Sequence, residues 1–144
     1  MTESVREGTS AILVSTDGRL LLQLRDDVPH ITWPGKTSLF GGQREGDESF
    51  LECVTREIHE EIGLNLPPER FERIGYYSGP DPSTPNGTVR GEVFLARDLP
   101  LDALNVTEGK LRVVALNELP QIQDALTPRA KYALDLFLKR QQIA

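Results

Sequence analysis

The chain has 144 residues, 38% of them hydrophobic and 26% charged, with a net charge of −6. These values describe one soluble domain, residues 1–144, large enough to bury a core. An acidic balance without clustered Lys and Arg argues against nucleic acid as a partner, and no apolar run approaches the roughly eighteen residues that cross a membrane. The polar N-terminus, with Glu3, Arg6 and Glu7, lacks the basic flank and apolar stretch of a secretory signal. Cys53 is the single cysteine, so no internal disulfide can form. The cytoplasm is the expected compartment. A phosphate-bearing ligand would need some attractor other than bulk charge, and a divalent cation held by carboxylates would serve while accounting for the excess acid.

In chain order, residues 9–15 read as a strand that is apolar on both faces around Ala11 and Leu13. Asp17-Gly18 marks a tight hairpin turn, and residues 20–24 return as the partner strand. Residues 26–36, with Pro29 and Pro34, read as loop, followed by a short strand over 38–40 that runs into Gly41-Gly42. Ser49 opens a helix through a capping box with Glu52, and Gly63 is the expected left-handed terminator after Ile62. Residues 71–77 predict a strand, 78–87 a long loop with three prolines, and 88–96 and 110–116 two further strands. Thr127-Pro128 caps a last helix to about Arg140, with Ala130, Leu134, Phe137 and Leu138 as its apolar stripe. Strands interrupted by two such helices predict an α/β fold, a mixed sheet with helices packed on it.

The chemistry-bearing unit is residues 42–64. Gly42 is followed by five residues and then Glu48; after seven more come Arg56, Glu57 and Ile58; after His59 come Glu60, Glu61, Ile62, Gly63 and Leu64. On a helix, Glu57 and Glu61 share a face and Glu60 lies to one side. The apolar residues Phe50, Leu51, Val54, Ile58 and Ile62 fall on an adjoining sector, while Glu52, Thr55, Arg56 and His59 cluster opposite. The two carboxylates therefore sit at the margin of the buried face, which a merely solvated charge run would avoid. Carboxylates held so close repel one another unless a cation sits among them. All-oxygen ligation suits Mg²⁺ or Mn²⁺, and one cysteine with His30 and His59 at unmatched spacing argues against zinc.

The segment is identified as the signature of the Nudix hydrolase family, G-x5-E-x7-R-E-U-x-E-E-x-G-U with U a bulky aliphatic, and every specified position matches. Seven fixed residue types at about 6% background each would coincide by chance a few times in a billion positions, which discards the reading of a mere Glu-rich surface helix. The resemblance implies an α/β/α sandwich with a mixed β-sheet and a loop–helix–loop catalytic motif. It implies Glu57, Glu60 and Glu61 as metal ligands and Arg56 as the residue that orients a motif glutamate. Glu48 would support the loop or an outer metal shell, and Gly42 would permit close approach to phosphate. The implied reaction is attack of a metal-activated water on one phosphorus of a diphosphate, with Glu61, Glu60 and Arg56 as the catalytic set and Mg²⁺, or Mn²⁺, as cofactor. The general base stays open between a motif glutamate and a later loop residue, for which Glu108 and Glu92 are the candidates. Many relatives have proline before the double glycine. Phe40 stands there in this chain, as a packing change that does not touch the chemistry.

The resemblance implies a small-molecule substrate, a nucleoside diphosphate linked to another group. Pro80, sixteen residues beyond Leu64, resembles a proline of ADP-ribose enzymes and shifts the expectation toward ADP-ribose or a nucleoside diphosphate sugar. About eight residues precede the first strand, fewer than the dimerisation segment of the larger ADP-ribose enzymes, and a homodimer is left open. Trp33, Phe40, Tyr76 and Tyr77 are candidates to stack on a base, residues 78–87 are a candidate lid, and Cys53 is expected to be an inert core thiol. Two alternatives remain: a nucleoside triphosphate pyrophosphohydrolase, and a binding module of the same fold without catalysis.

Overall fold

The computed structural model describes residues 4–143, and of residues 142 and 143 the backbone only; residues 1–3, the start of the polar N-terminal stretch, and residue 144 lie outside the described residues. Seven strands and two α-helices follow in the order β1 (Val5–Ser15), β2 (Leu20–Leu24), β3 (Thr37–Ser38), β4 (Phe40–Gln43), α1 (Phe50–Ile62), β5 (Glu72–Pro80), β6 (Thr88–Leu99), β7 (Lys110–Val114) and α2 (Pro128–Ile143). Single 3-10 turns over 68–70, 101–103 and 123–125 and a longer one over 116–121 fill the connections. No described helix is long and apolar enough to cross a membrane.

The sheet is mixed, as expected. Its path is β3-β2-β1-β6-β5, with β4 paired to β1 and β7 to β2. β1 pairs antiparallel with β2 and β4 but parallel with β6. The period-2 alternation of β1 then sorts its side chains into two cores. Ala11 and Leu13 join Leu21, Phe40, Phe94 and Ala96 under Val54, Ile58 and Ile62 of α1. Ile12 and Val14 join Leu20, Leu22, Val93 and Leu95 under Ala130, Leu134 and Phe137 of α2. One helix on each face of a shared sheet is the expected α/β/α sandwich.

The local signals of α1 hold. Ser49 accepts from the Glu52 N–H at 3.0 Å while Glu52 accepts from the Ser49 N–H at 2.8 Å. Gly63 closes the helix at φ 77°, where a side chain would be strained. Thr127 Oγ1 accepts from the Ala130 N–H of α2 at 3.3 Å. Several boundaries differ from expectation, each for a tertiary reason. β1 starts at Val5, because β6 offers it a parallel partner from Thr88 onward. The expected strand over 38–40 is two strands, since residues 37–38 pair with β2 and residues 40–43 with β1. Ser78, Gly79 and Pro80 belong to β5, paired with Arg90, Val89 and Thr88, so the connection to β6 is shorter than the loop expected. β6 runs on to Leu99, and β7 ends at Val114, opposite Leu20 where β2 begins. Leu51 is 38% exposed and lies outside the apolar sector assigned to it, lining a shallow outer depression with Glu52, Thr55 and His59.

Candidate active site

The end of the sheet where β1 meets β4 opens into a cavity of about 430 Å³. Its lining joins two chemically distinct parts. One is acidic, with Glu61 of α1 and Glu108 beside Gly41 and Gly42 of β4; the other holds Tyr77 of β5, Pro80 and Arg129 of α2.

Backbone constraints build the acidic part. β4 pairs antiparallel with β1, with Ser10 opposite Gly41 and Thr9 opposite Gly42. Gly41 adopts φ 149°, and a Cβ there would overlap the Thr9 carbonyl oxygen. A Cβ on Gly42 would overlap the Glu57 carboxylate. The two glycines thus let α1 carboxylates come down onto the strand backbone, and the Gly41 N–H donates to Glu61 Oε1 at 2.9 Å.

Arg56 organises the outer side. Its Nε and Nη2 donate to the two Glu48 oxygens at 2.7 and 2.9 Å, a bidentate pair. Nη1 donates to Glu57 at 2.8 Å and to Glu60 at 3.2 Å, and Nη2 to the Gln43 carbonyl at 3.1 Å. Arg56 is therefore not on the wet face where helical spacing alone put it; it turns inward and ties the loop before α1 to two of its glutamates. The guanidinium holds Glu48 down at about 2, and the carboxylates raise Arg56 in return.

The chain returns to the site through residues 105–108. The Asn105 N–H donates to the Ile62 carbonyl at 2.8 Å, the Thr107 N–H to the Glu61 carbonyl at 2.9 Å, and Thr107 Oγ1 to the Glu60 carbonyl at 2.8 Å. These donors satisfy the open carbonyls at the end of α1. They also bring Glu108 against Glu61, while Gln23 Nε2 donates to the Glu108 carbonyl at 3.0 Å. Burial pushes Glu61 up to about 8; the Gly41 N–H opposes this, and Glu108 and Glu57 add to it. Burial likewise raises Glu57, opposed by Arg56 and reinforced by Glu60 and Glu108.

The expected residues therefore separate. Glu61 is buried, at 4% exposure, and lines the cavity with Gly42. Glu57 is largely covered and abuts Gly42. Glu60 has a side chain 57% exposed and reaches the group through Arg56. No three His, Cys, Asp or Glu side chains cluster as metal ligands among the described residues; Glu57 and Glu60 both turn to Arg56, and Glu61 turns to Gly41. Of the two later acids, Glu108 is at the site. Glu92 does not line the cavity; it lies on the α1 face of the sheet and pairs with Arg73 at 2.8 Å. Trp33, Tyr77 and Pro80 line the cavity, whereas Phe40 is a fully buried core residue and Tyr76 points outward at 41% exposure. Cys53 is buried between Thr9 Oγ1 at 3.4 Å and the Gly42 carbonyl at 3.5 Å, and burial lifts its thiol to about 11, so it is inert. Arg129, on the cavity wall, has no local sequence signal beyond its place in the last helix.

Fold and site together define an α/β/α scaffold whose loop–helix–loop seats carboxylates on a glycine strand at the end of a cavity. Residues 5–137 match the family model of the NUDIX domain, and the chain belongs to that family. The chain is 30% identical to the structure of a MutT NUDIX hydrolase from Burkholderia pseudomallei, with a TM-score of 0.74, over 93% of this chain and 98% of that one. Among curated relatives, Nudix hydrolase 3 of Arabidopsis thaliana is 45% identical over 65 residues, 44% of this chain and 8% of that protein. A prenyl-diphosphate phosphatase of Methanosarcina mazei is 32% identical over 71 residues, 49% of this chain and 41% of that protein. The chain thus spans less than half the length of either curated relative.

Proposed function

We propose that this protein is a divalent-metal-dependent hydrolase that cleaves the diphosphate linkage of a nucleoside diphosphate joined to another group, with ADP-ribose and nucleoside diphosphate sugars as the favoured class. One observation carries the reading: Glu61 and Glu108 meet on the cavity wall, with Glu57 behind them, and the carboxylates press on one another. A cation would relieve that repulsion, and an all-carboxylate donor set suits Mg²⁺ or Mn²⁺. Glu57, Glu60 and Glu61 would hold it, with Glu108 as a further acid on the cavity side. When bound, it supplies charge neutralisation, polarisation of the phosphoryl oxygens and acidification of a water.

The chain's own residues then have distinct tasks. Arg56 holds Glu57 in place by sharing its guanidinium with Glu48. The Gly41 N–H fixes one Glu61 oxygen. Gly41 and Gly42 offer a strand edge without side chains, along which a diphosphate can lie close to the backbone. Glu61, Glu60 and Glu108 are the candidates to take a proton from the attacking water. Of these, Glu61 and Glu108 line the cavity, which favours them over Glu60.

A second reading, pyrophosphohydrolysis of nucleoside triphosphates, is favoured by the similarity to a protein named MutT. The test is phosphate release with Mg²⁺ from ADP-ribose, nucleoside diphosphate sugars, dinucleotides, nucleoside triphosphates and a prenyl diphosphate, with Glu61→Gln in parallel. Turnover of any compound that the variant loses supports the metal site, and monophosphate against pyrophosphate products separate the two readings. A wild type inert with both Mg²⁺ and Mn²⁺ removes both.

A further inference from the structure

Three arginines line the cavity, and two of them are spent on the fold. Arg6 makes a bidentate pair with Asp81, Nε to Oδ2 at 2.7 Å and Nη2 to Oδ1 at 2.8 Å. Arg25 donates from Nε to the Thr32 carbonyl at 2.6 Å and from Nη2 to Thr32 Oγ1 at 3.3 Å. Arg129 is different. It makes no ion pair among the described residues, and its hydrogen-bonding is one long contact from Nη1 to Ser10 Oγ at 3.4 Å. Its guanidinium lies over the Tyr77 ring, 5.5 Å from the centroid, which holds it in place without neutralising it.

The position is an awkward one for a cation. Arg129 is the second residue of α2, in the turn where the helix dipole is already positive, and that turn carries no acidic side chain. Burial pulls the guanidinium below its ordinary pKa; Tyr77 and Asp81 oppose this and Arg6 adds to it. An arginine keeps its charge regardless, and a partly desolvated charge without a counter-charge is costly. No buried side-chain nitrogen lacks a hydrogen-bond partner among the described residues. The Arg129 nitrogens without a partner are therefore not fully buried, and the residue lines the cavity that Glu61 and Glu108 also line. The cavity is of the size that takes a small molecule, with room for more than a diphosphate.

We propose that Arg129 is a specificity residue that binds an anionic group, a phosphate or a carboxylate, carried by the substrate away from its scissile diphosphate. The proposal rests on the hydrolase reading for which end of the substrate lies at Glu61. Planar guanidinium geometry suits both anions through paired N–H donors, and the ligand would supply the counter-charge that the fold withholds. Trp33 and Tyr77 offer apolar walls for the part of the ligand between the two ends.

The experiment is calorimetric binding of matched compounds that differ by one remote anion. NAD⁺ against NADP⁺ tests a phosphate, and UDP-glucose against UDP-glucuronate tests a carboxylate, each with wild type, Arg129→Gln and Arg129→Lys. The expected result is that wild type prefers the anionic member of one pair by about ten- to a hundred-fold, the scale of a charge-assisted hydrogen-bonded pair. Arg129→Gln should bring that preference close to one while leaving affinity for the neutral member in place, and Arg129→Lys should restore part of it. No preference in either pair overturns the proposal, as does a preference that survives in Arg129→Gln or an equal loss for both members. Phosphate release from the same compounds with Mg²⁺, in wild type and Glu61→Gln, is scored separately. Preference without turnover keeps Arg129 and removes the hydrolase reading, and turnover without preference does the reverse.

Discussion

The two ends of the cavity are built on opposite principles. At the α1 end, every side chain is engaged: Arg56 serves Glu48, Glu57 and Glu60, Gly41 serves Glu61, and the 105–108 segment closes the helix terminus. The strain there is between carboxylates, and on the proposed function a cation would relieve it. At the α2 end, a single cation stands on an aromatic ring with almost nothing to bind and is satisfied by adding an anion. A substrate with a diphosphate at one end and an anionic group at the other, together with a divalent metal, meets both demands. On the proposed function, reactivity falls to α1 and selectivity to α2, and each half can be broken separately.

The largest expected effect is at Glu61. Glu61→Gln keeps the shape and removes the ionisable carboxyl, and kcat should fall on the order of a thousandfold or more, as when a group that stabilises transition-state charge is removed. The melting temperature in chelator should hold or rise, because the variant no longer buries a carboxylate beside Glu57 and Glu108. Unchanged kcat would detach α1 from the chemistry. Next comes Gly42→Ala. Its methyl would displace the Glu57 carboxylate, and a shift of that kind costs roughly a hundredfold in turnover; steady-state kinetics with near-wild-type activity would show that Glu57 is not held against the strand.

Arg56→Lys tests the organising pair. Lysine keeps the charge and loses the bidentate fork, so thermal melting should drop by about 2–6 °C, the equivalent of roughly 1–2 kcal/mol for a domain of this size. An unchanged melting point would mean that the network at α1 is decorative. The smallest effect is at Asp81, whose side chain is inaccessible and accepts from Arg6, from the Ser83 N–H at 2.9 Å and from Ser83 Oγ at 2.8 Å. The hydrogen bond from Arg6 holds its carboxyl far below the usual range. A carboxyl depressed in the folded state contributes stability above its unfolded pKa and loses it as pH falls toward the folded value. Asp81→Asn should therefore melt lower than wild type at neutral pH, with the gap narrowing only in strong acid. A gap that is constant with pH would assign the effect to packing.

Much of the α1 end was legible without coordinates. Its signals are local: the capping box of Ser49 and Glu52, the stop at Gly63, and glutamates spaced so that Glu57 and Glu61 share a face. Helical periodicity converts such spacing into geometry with little help from the rest of the chain. Even there, helical spacing alone puts Arg56 on the wet side, while the family signature makes it the residue that orients a motif glutamate; its pairs with Glu57 and Glu60 follow the signature, because a long side chain goes where its partners are and spacing fixes only the Cα. Spacing alone likewise puts Leu51 inward, although it is exposed. Glu92 and Glu108 could not be ranked from sequence; pairing with Arg73 holds one on the sheet face, and backbone bonds to the end of α1 carry the other to Glu61.

What the sequence by itself determined is the family, the two capped helices, the doubly apolar first strand and the group of acids from which a metal site can be drawn, because each follows from contacts within a few residues along the chain. Only the tertiary structure decided how far β1 and β6 extend, which later acid meets Glu61, that Tyr77 faces the cavity while Tyr76 faces solvent, and that Arg129 stands unpaired among the described residues. Those outcomes depend on strand register and on which distant side chains have already claimed one another, and neither is written in local spacing.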